Sequence, residues 1–215
     1  MIDISPSLLP VQSDLILNYA KKTIELGVKR LHLDIIDGKF VDKYGLNDEI
    51  VDDLLETYHQ QTHLDVHLMV ASPLDYIKKS SYKFASKIYV HLQKDIDHLI
   101  ELKNAIESKG CEAGLVINPY DDINKDILNI FSSLLVMGVV PGMSGQSMLP
   151  HTFDRINIIK SYCTKHKTHI TLDGGVTKEH LLSINGSIDC CVMGAAIYAQ
   201  KDWIKVLSDL LISVK

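Results

Sequence analysis

Near its N-terminal end the chain reads Leu31-His32-Leu33-Asp34-Ile35-Ile36-Asp37-Gly38. Apolar and polar residues alternate here with a period of two until a glycine interrupts them, which predicts a strand that runs into a loop. His32 and Asp34 are two residues apart and therefore share one face of that strand. The leucines and Ile35 share the other face, where helices could cover them. An imidazole and a carboxylate side by side at the end of a strand can share a metal ion.

Two later stretches repeat this pattern, reading His63-Leu64-Asp65-Val66-His67-Leu68-Met69 and His169-Ile170-Thr171-Leu172-Asp173-Gly174-Gly175. In the first of them three polar residues share a face, and the second places a carboxylate directly before two glycines. Each of the three predicted strands therefore presents polar side chains toward its C-terminal end. Together they predict a ring of strands that converge on one site.

Length and composition are those of a globular protein with one domain, residues 1–215. Of its 215 residues 46% are hydrophobic and 23% charged, which argues against disordered and fibrous classes. The formal net charge of −5 gives no electrostatic reason to expect binding to nucleic acid or to an anionic membrane. No apolar run approaches the roughly 20 residues of a membrane span, and no signal-peptide pattern precedes the first strand. We therefore expect a cytoplasmic protein whose four cysteines are reduced thiols.

Strand and helix patterns alternate eight times along the chain, with no linker-like break in composition. Eight right-handed βα units that close on themselves form a (β/α)8 barrel, the TIM barrel of the α/β class. An open doubly wound sheet is the alternative. The barrel is favoured because polar residues gather at the C-terminal ends of strands from all parts of the chain. The predicted strands are Ile2 to Ser7, Arg30 to Ile35, His63 to Val70, Ala85 to His91, Glu112 to Ile117, Ser133 to Val140, His169 to Asp173 and Ile188 to Met193.

Two imidazoles and two carboxylates are predicted to meet at the C-terminal ends of strands two, three and seven. They are His32, Asp34, His67 and Asp173. This mixed nitrogen and oxygen set suits one divalent cation, Zn, Fe, Mn or Co, and leaves room for oxygens of a substrate. Ordinary hydrogen-bonded polar residues at a barrel mouth are the alternative interpretation. Asp65 is expected to hold the tautomer of a ligating histidine from behind, and His63 to be structural.

Glycines cluster in three consecutive loops late in the chain. Pro141-Gly142-Met143-Ser144-Gly145-Gln146 follows strand six, Gly174-Gly175 follows strand seven, and Gly194-Ala195 follows strand eight. Glycine lets backbone N–H groups approach an anion, and barrels commonly bind phosphate near their last loops. One such loop is usually only a turn, but three in succession predict a phosphate site.

Four other residues have two interpretations each. Met69 and Met137 face inward and either fill the core or contact a substrate. His91, at the end of strand four, either lines the site or closes the barrel. Asp37 is either a loop cap or a site residue.

The chain resembles the ribulose-phosphate 3-epimerases from end to end. The matching motifs are, in chain order, Ser5-Pro6-Ser7-Leu8-Leu9, His32-Leu33-Asp34 with Asp37-Gly38-Lys39-Phe40, Asp65-Val66-His67-Leu68-Met69, Gly114-Leu115-Val116 with Asn118-Pro119, Pro141-Gly142 with Gly145-Gln146, and Asp173-Gly174-Gly175. Their spacing along the chain is also similar to that of the family. The resemblance implies a (β/α)8 barrel that acts as an isomerase on a small phosphorylated ketose.

The resemblance also implies roles for individual residues. His32, Asp34, His67 and Asp173 would be the ligands of one divalent cation, and the two aspartates also the acid/base groups. The expected substrate contacts are Ser7, His67, Met69, Met137, Gly142, Met143, Ser144, Gly145, Gly174, Gly175, Gly194 and Ala195. A homo-oligomer is expected as well.

The loop after strand two departs from the family. After Phe40 the family usually continues with Pro-Asn, a hydroxyl residue and glycine, whereas this chain has Val41-Asp42-Lys43-Tyr44-Gly45-Leu46-Asn47. D-Ribulose 5-phosphate is the first expected substrate, and a hexulose phosphate such as D-allulose 6-phosphate is the alternative.

Decarboxylases and aldolases on related barrels are a second class of enzyme, and they use an Asp-x-Lys motif. This chain has Asp34-Ile35-Ile36 at that position, so the lysine is missing and this class is disfavoured. A third hypothesis, a non-catalytic protein that binds a sugar phosphate, is disfavoured because both acid/base residues are intact.

Overall fold

Eight parallel strands form one sheet in the computed structural model, which describes residues 2–142, 144–164, 167–184, 186 and 188–214. The strands are β1 (Asp3–Pro6), β2 (Arg30–Ile36), β3 (His63–Met69), β4 (Lys87–His91), β5 (Glu112–Ile117), β6 (Ser133–Met137), β7 (His169–Asp173) and β8 (Cys190–Met193). They pair in the order β1-β8-β7-β6-β5-β4-β3-β2. A parallel bridge between Ser7 and His32 brings the two ends of the sheet together. The predicted (β/α)8 barrel is confirmed.

Helices alternate with the strands and pack on the outside of the barrel. They are α1 (Ile16–Glu25), α2 (Asp48–Tyr58), α3 (Pro73–Ile77), α4 (Ile96–Glu107), α5 (Lys125–Leu128), α6 (Thr152–Tyr162), α7 (Lys178–Ser183), α8 (Ala195–Tyr198) and α9 (Trp203–Ser213). The side chains of Asn47, Asp95 and Asn124 accept hydrogen bonds from backbone N–H groups in the first turns of α2, α4 and α5. These N-caps determine where the three helices begin. Within the described part of the chain, no helix has the length and apolar character needed to cross a membrane.

The alternation in β2 separates an apolar outer face from a polar inner face. Leu31, Leu33 and Ile35 are at most 1% exposed and join the large core between the sheet and the helices. The polar residues between them point into the barrel. Because Asp34 pairs with His67 across the β2–β3 ladder, the polar faces of the two strands adjoin. The pairing register of β2 and β3 therefore brings the polar side chains of the two strands together inside the barrel.

Tyr89 of β4 fills the middle of the barrel. Its hydroxyl lies 3.2 Å from Thr171 Oγ1 and 3.4 Å from Ser133 Oγ, so the ring reaches across the barrel toward β6 and β7. Burial raises the pKa of this phenol, which therefore stays neutral. Gly114 is its register partner on β5, and a Cβ atom there would lie 2.2 Å from Tyr89 Cδ1. The glycine is what leaves room for the ring.

Replacing Gly114 with alanine is expected to lower the free energy of unfolding by about 1–3 kcal/mol, the usual cost of overpacking a core. Urea denaturation of Gly114→Ala and wild type measures it. The control is a double-mutant cycle with Tyr89→Leu, which removes the ring that the new methyl group meets. The double variant should lose less stability than the sum of the two single variants. Strict additivity would show that Tyr89 is not the obstacle.

Strand β6 is shorter than the sequence predicts. The pattern predicts a strand to Val140, but pairing ends at Met137 opposite Asp173. Gly138 N still donates to the carbonyl of Asp173, whereas the Gly138 carbonyl already accepts from Leu149 N in the following loop. The residues after Gly138 therefore belong to a loop at the mouth of the barrel. Met143, a predicted substrate contact in that loop, lies outside the described residues.

Candidate active site

Four side chains meet at the C-terminal end of the barrel: His32 and Asp34 of β2, His67 of β3 and Asp173 of β7. Their ligating atoms all lie within 4.8 Å of one another. His32 Nε2 is 3.3 Å from Asp34 Oδ1 and 3.7 Å from Asp173 Oδ2. His67 Nδ1 is 3.0 Å from Asp34 Oδ1, 3.6 Å from Asp173 Oδ2 and 3.4 Å from His32 Nε2. The structure thus brings together all four predicted metal ligands.

The spacing of these atoms fits one small divalent cation. Bonds of about 2.0–2.2 Å place the ligands of a tetrahedral centre roughly 3.3–3.6 Å apart. The two imidazole nitrogens lie 3.0–3.7 Å from each other and from the carboxylate oxygens, and all four atoms lie within 4.8 Å of one another. Ser7 Oγ donates to Asp34 Oδ2, which leaves Oδ1 of that carboxylate facing the imidazoles. Both imidazoles are fully buried. Donor types, spacing and burial therefore all suit a cation such as zinc.

The charges in this cluster shift the pKa values of its members. Burial by itself lowers the pKa of His32, but the nearby Asp34 and Asp173 outweigh it and raise that pKa to about 9. Burial likewise opposes ionisation of Asp34, whereas His32 and His67 hold its pKa well below the ordinary range. The same two aspartates raise the pKa of His67 against the effect of burial, so a cation that binds the imidazoles competes with protons.

Asp65 does not support a ligand in the way that its position predicts. Both of its carboxylate oxygens lie 2.8 Å from Nη1 of Arg30, two positions earlier than His32 on β2. This ion pair is almost entirely buried inside the barrel. Arg30 lies diagonally across the β2–β3 ladder and presents a cation, so it takes the carboxylate that we expected behind a histidine.

A cavity of about 470 Å³ opens beside the cluster. Asp34 and Asp173 line it, whereas the two histidines of the cluster do not. The other predicted site residues that line it are Ser7, Met69, Met137, Gly142, Ser144, Gly145, Gly174, Gly175, Gly194 and Ala195. His67, which was also expected to contact substrate, is buried behind the carboxylates instead. The two aspartates are therefore the members of the cluster that a bound molecule can reach.

The late loops approach one another closely where they line this cavity. Gly175 has a φ of +70°, and a Cβ atom on it would lie 2.3 Å from the backbone nitrogen of Met148 in the loop after β6. Only glycine allows both this left-handed conformation and this approach of two backbones. Gly194 and Ala195 border the same space after β8. The three predicted phosphate loops thus share one wall of the cavity.

The loop after β2 reaches the same region. Asp37 caps it, since its two oxygens accept hydrogen bonds from the backbone N–H groups of Lys39, Phe40 and Ala71. Of its two interpretations, the loop cap is therefore confirmed. The loop then brings Val41 against Gly142, where an added Cβ atom would lie 2.9 Å from Val41 Cγ2. The segment that departs from the family therefore borders the loop after β6.

His180 lines the cavity and was missed by the sequence analysis. It is the third residue of α7, and its Nδ1 lies 3.2 Å from the backbone nitrogen of Thr177, which donates to it. The neutral ring therefore carries its proton on Nε2. Among the described residues that line the cavity, none is a lysine or an arginine. The available signal was a helix cap, Thr177 with His180 three residues later, directly after the glycines of β7.

A family model gives the assignment that the geometry supports. Residues 3–198 match the model of the ribulose-phosphate 3 epimerase family. The chain belongs to that family. Epimerases are isomerases, so the protein is an enzyme of the isomerase class.

Named ribulose-phosphate 3-epimerases resemble the chain over almost their whole length. The Bacillus subtilis protein is 31% identical, and the match covers 98% of this chain and 98% of that one. The cytoplasmic isoform of rice is 28% identical, covering 99% and 94%. The Escherichia coli K12 protein is 29% identical, covering 96% and 93%.

Solved structures with much lower identity share the barrel. KGPDC from Streptococcus mutans superposes with a TM-score of 0.72 at 12% identity, covering 100% of this chain and 97% of that one. The tryptophan synthase α-subunit of Pyrococcus furiosus gives a TM-score of 0.68 at 12% identity, covering 99% and 96%. At 12% identity, the similarity between this protein and these structures shows a shared fold and nothing more.

Proposed function

We propose that the protein is a metal-dependent 3-epimerase of a ketose phosphate that interconverts D-ribulose 5-phosphate and D-xylulose 5-phosphate. The observation that carries this proposal is the double placement of Asp34 and Asp173. Both carboxylates belong to the His/Asp cluster, and both line the cavity. Inverting a carbon beside a ketone requires a base on one face and an acid on the other. Two carboxylates from β2 and β7 can supply these two faces.

The chain itself would position and move the proton. One aspartate removes the proton at C3 of the ketose, and the other returns a proton to the opposite face. Ser7 donates to Asp34 and thereby fixes the orientation of that carboxylate. In the reverse direction the two carboxylates exchange roles, because the reaction path must be the same both ways.

The four clustered side chains would hold one divalent cation. Zn, Fe, Mn or Co all suit two imidazoles and two carboxylates. When bound, the cation supplies positive charge that stabilises the negative charge developing on the ketose oxygens. His32 and His67 lie behind the carboxylates and would serve as ligands only.

The late loops would bind the phosphate group. Their glycines bring backbone N–H groups to the cavity, where they can donate to an anion. His180 adds an imidazole N–H to the same cavity, because its Nδ1 is already occupied by the backbone of Thr177.

Replacing His180 with glutamate is expected to raise KM and the inhibition constant of inorganic phosphate about 5–30-fold. A carboxylate near the phosphate costs on the order of 1–2 kcal/mol in a partly exposed site. Glutamate at this third helical position can still cap Thr177, so the fold should be kept. Steady-state kinetics with phosphate as a competitive inhibitor measures both constants.

His180→Gln is the matched control, since glutamine also caps Thr177 but carries no charge. It should leave both constants within about threefold of wild type, and metal content should be unchanged in both variants. Equal phosphate inhibition in wild type and His180→Glu would place the phosphate elsewhere.

The identity of the sugar is tested by comparing two substrates. The loop from Val41 onward differs from the family and touches the loop after β6, so a hexulose phosphate such as D-allulose 6-phosphate is the second candidate. A coupled assay should give a higher kcat/KM with D-ribulose 5-phosphate than with the hexulose phosphate. The reverse ranking would assign the hexulose phosphate, and turnover of neither would favour a non-catalytic binding protein.

A further inference from the structure

His91 lies directly behind the ligand His67. It is the last residue of β4, is only 3% exposed, and its ring stacks on that of His67 with centroids 5.0 Å apart. The two Nε2 atoms are 3.0 Å apart, which is hydrogen-bond distance. One of these nitrogens must therefore donate and the other accept.

The other nitrogen of His67 determines the direction of this bond. Nδ1 of His67 faces the cluster, 3.0 Å from Asp34 Oδ1. A histidine that binds a cation through Nδ1 has no proton there, so its proton is on Nε2. His67 then donates to His91, and His91 Nε2 accepts.

This arrangement places the proton of His91 on Nδ1, which then needs an acceptor, and Asn118 is the candidate. Among the described residues, His91 Nδ1 and Asn118 Oδ1 are both buried, and neither has a hydrogen-bond partner. The side chain of Asn118 is nevertheless near enough to His91 to raise the pKa of its imidazole, against the effect of burial. Asn118 follows β5, and its backbone is fixed by Asp121 and Arg155, which bond to its N–H and its carbonyl. A buried donor and a buried acceptor are thus left for each other.

The surroundings of His91 hold its ring in place. Phe40, from the loop after β2, packs on it, and the centroids of the Phe40 and His91 rings are 4.5 Å apart. Gln93 Nε2 donates to the backbone carbonyl of His91 at 2.9 Å. Packing and backbone anchoring therefore fix the imidazole that in turn contacts His67.

We propose that His91 and Asn118 are positioning residues that fix the tautomer and the orientation of the ligand His67. The proposed relay runs from His67 Nε2–H to His91 Nε2 and from His91 Nδ1–H to Asn118 Oδ1. Such outer partners of ligating histidines typically change metal affinity by 10–100-fold when they are removed. The inference rests on the proposed metal role of His67 and deepens it.

Zinc affinity of purified variants, measured by competition with a chromophoric chelator, tests the relay. His91→Phe keeps an aromatic ring between His67 and Phe40 but cannot accept the hydrogen bond from His67 Nε2–H, and it should weaken zinc binding about 10–100-fold. His91→Gln restores a carbonyl acceptor and should recover most of that loss. Asn118→Leu should weaken zinc binding in the same direction but less. An unchanged zinc affinity in His91→Phe would overturn the proposal.

His59→Phe is the matched control. His59 also stacks on a phenylalanine, Phe84, at 4.2 Å, but bonds to the backbone of α2 away from the cluster. It should bind zinc as wild type does. If His59→Phe lost zinc affinity to the same extent, the effect of His91→Phe would be explained by disturbed packing and not by loss of the hydrogen-bond acceptor.

The tautomer of His91 provides a second readout. In ¹⁵N-labelled protein loaded with zinc, where His67 Nδ1 carries no proton, the ring nitrogens of His91 should show the proton on Nδ1. A proton on Nε2 would overturn the relay even though zinc binds. A wild-type protein that binds no zinc would instead refute the metal site itself, a result distinct from failure of the relay.

Discussion

Asp34→Asn and Asp173→Asn are each expected to lower kcat by at least the roughly 10²–10⁴-fold typical of lost general acid–base catalysis. Asparagine keeps the shape of the side chain and one oxygen toward the cluster, but it cannot take up and return a proton. Alanine would confuse lost metal with lost proton transfer, because both aspartates belong to the cluster. Steady-state kinetics in both reaction directions, with metal content measured for each variant, gives the result.

Isotope exchange separates the two proton-transfer roles. In heavy water the wild type should place solvent deuterium at C3 of the sugar during turnover. A variant with one aspartate left could still exchange the C3 proton of one epimer without inverting the carbon. Epimerisation with no solvent label at C3, in both directions and at low conversion, would contradict the two-aspartate mechanism.

His67→Ala should remove most of the metal and most of the activity. Wild type is expected to hold about one divalent cation per chain, whereas the variant loses an imidazole from the centre of the cluster, where its Nδ1 lies within 3.6 Å of three other ligand atoms. Elemental analysis after gentle purification measures the content. Full activity of metal-free wild type in excess chelator would refute the site.

His63→Ala is the matched control, because His63 lies on the same face of β3 four residues earlier. It bonds to Ser86 Oγ at 3.1 Å and is exposed, so its removal should leave metal content unchanged.

Metal affinity should also depend on pH. Because Asp34 and Asp173 raise the pKa of the buried His32 to about 9, binding must release a proton below that pH, and affinity should fall as the pH decreases.

The sequence by itself predicted the barrel and the convergence of the two histidines and two aspartates. Both follow from local patterns, since residues two apart on a strand share a face and the C-terminal ends of parallel strands in a barrel meet. His32 with Asp34, and later Asp173 before two glycines, could therefore be placed without coordinates. A loop cap was one of the two interpretations of Asp37, and it could be proposed from sequence because capping depends on residues close by in the chain.

Only the tertiary structure showed which groups stand behind and beside that cluster. Asp65 is bonded to Arg30 because the β2–β3 register sets a guanidinium diagonally opposite it. His91 lies against His67, and His180 borders the cavity, because strands and helices far apart in the chain converge there. Register and loop approach depend on packing across the whole barrel, which no local pattern of residues encodes.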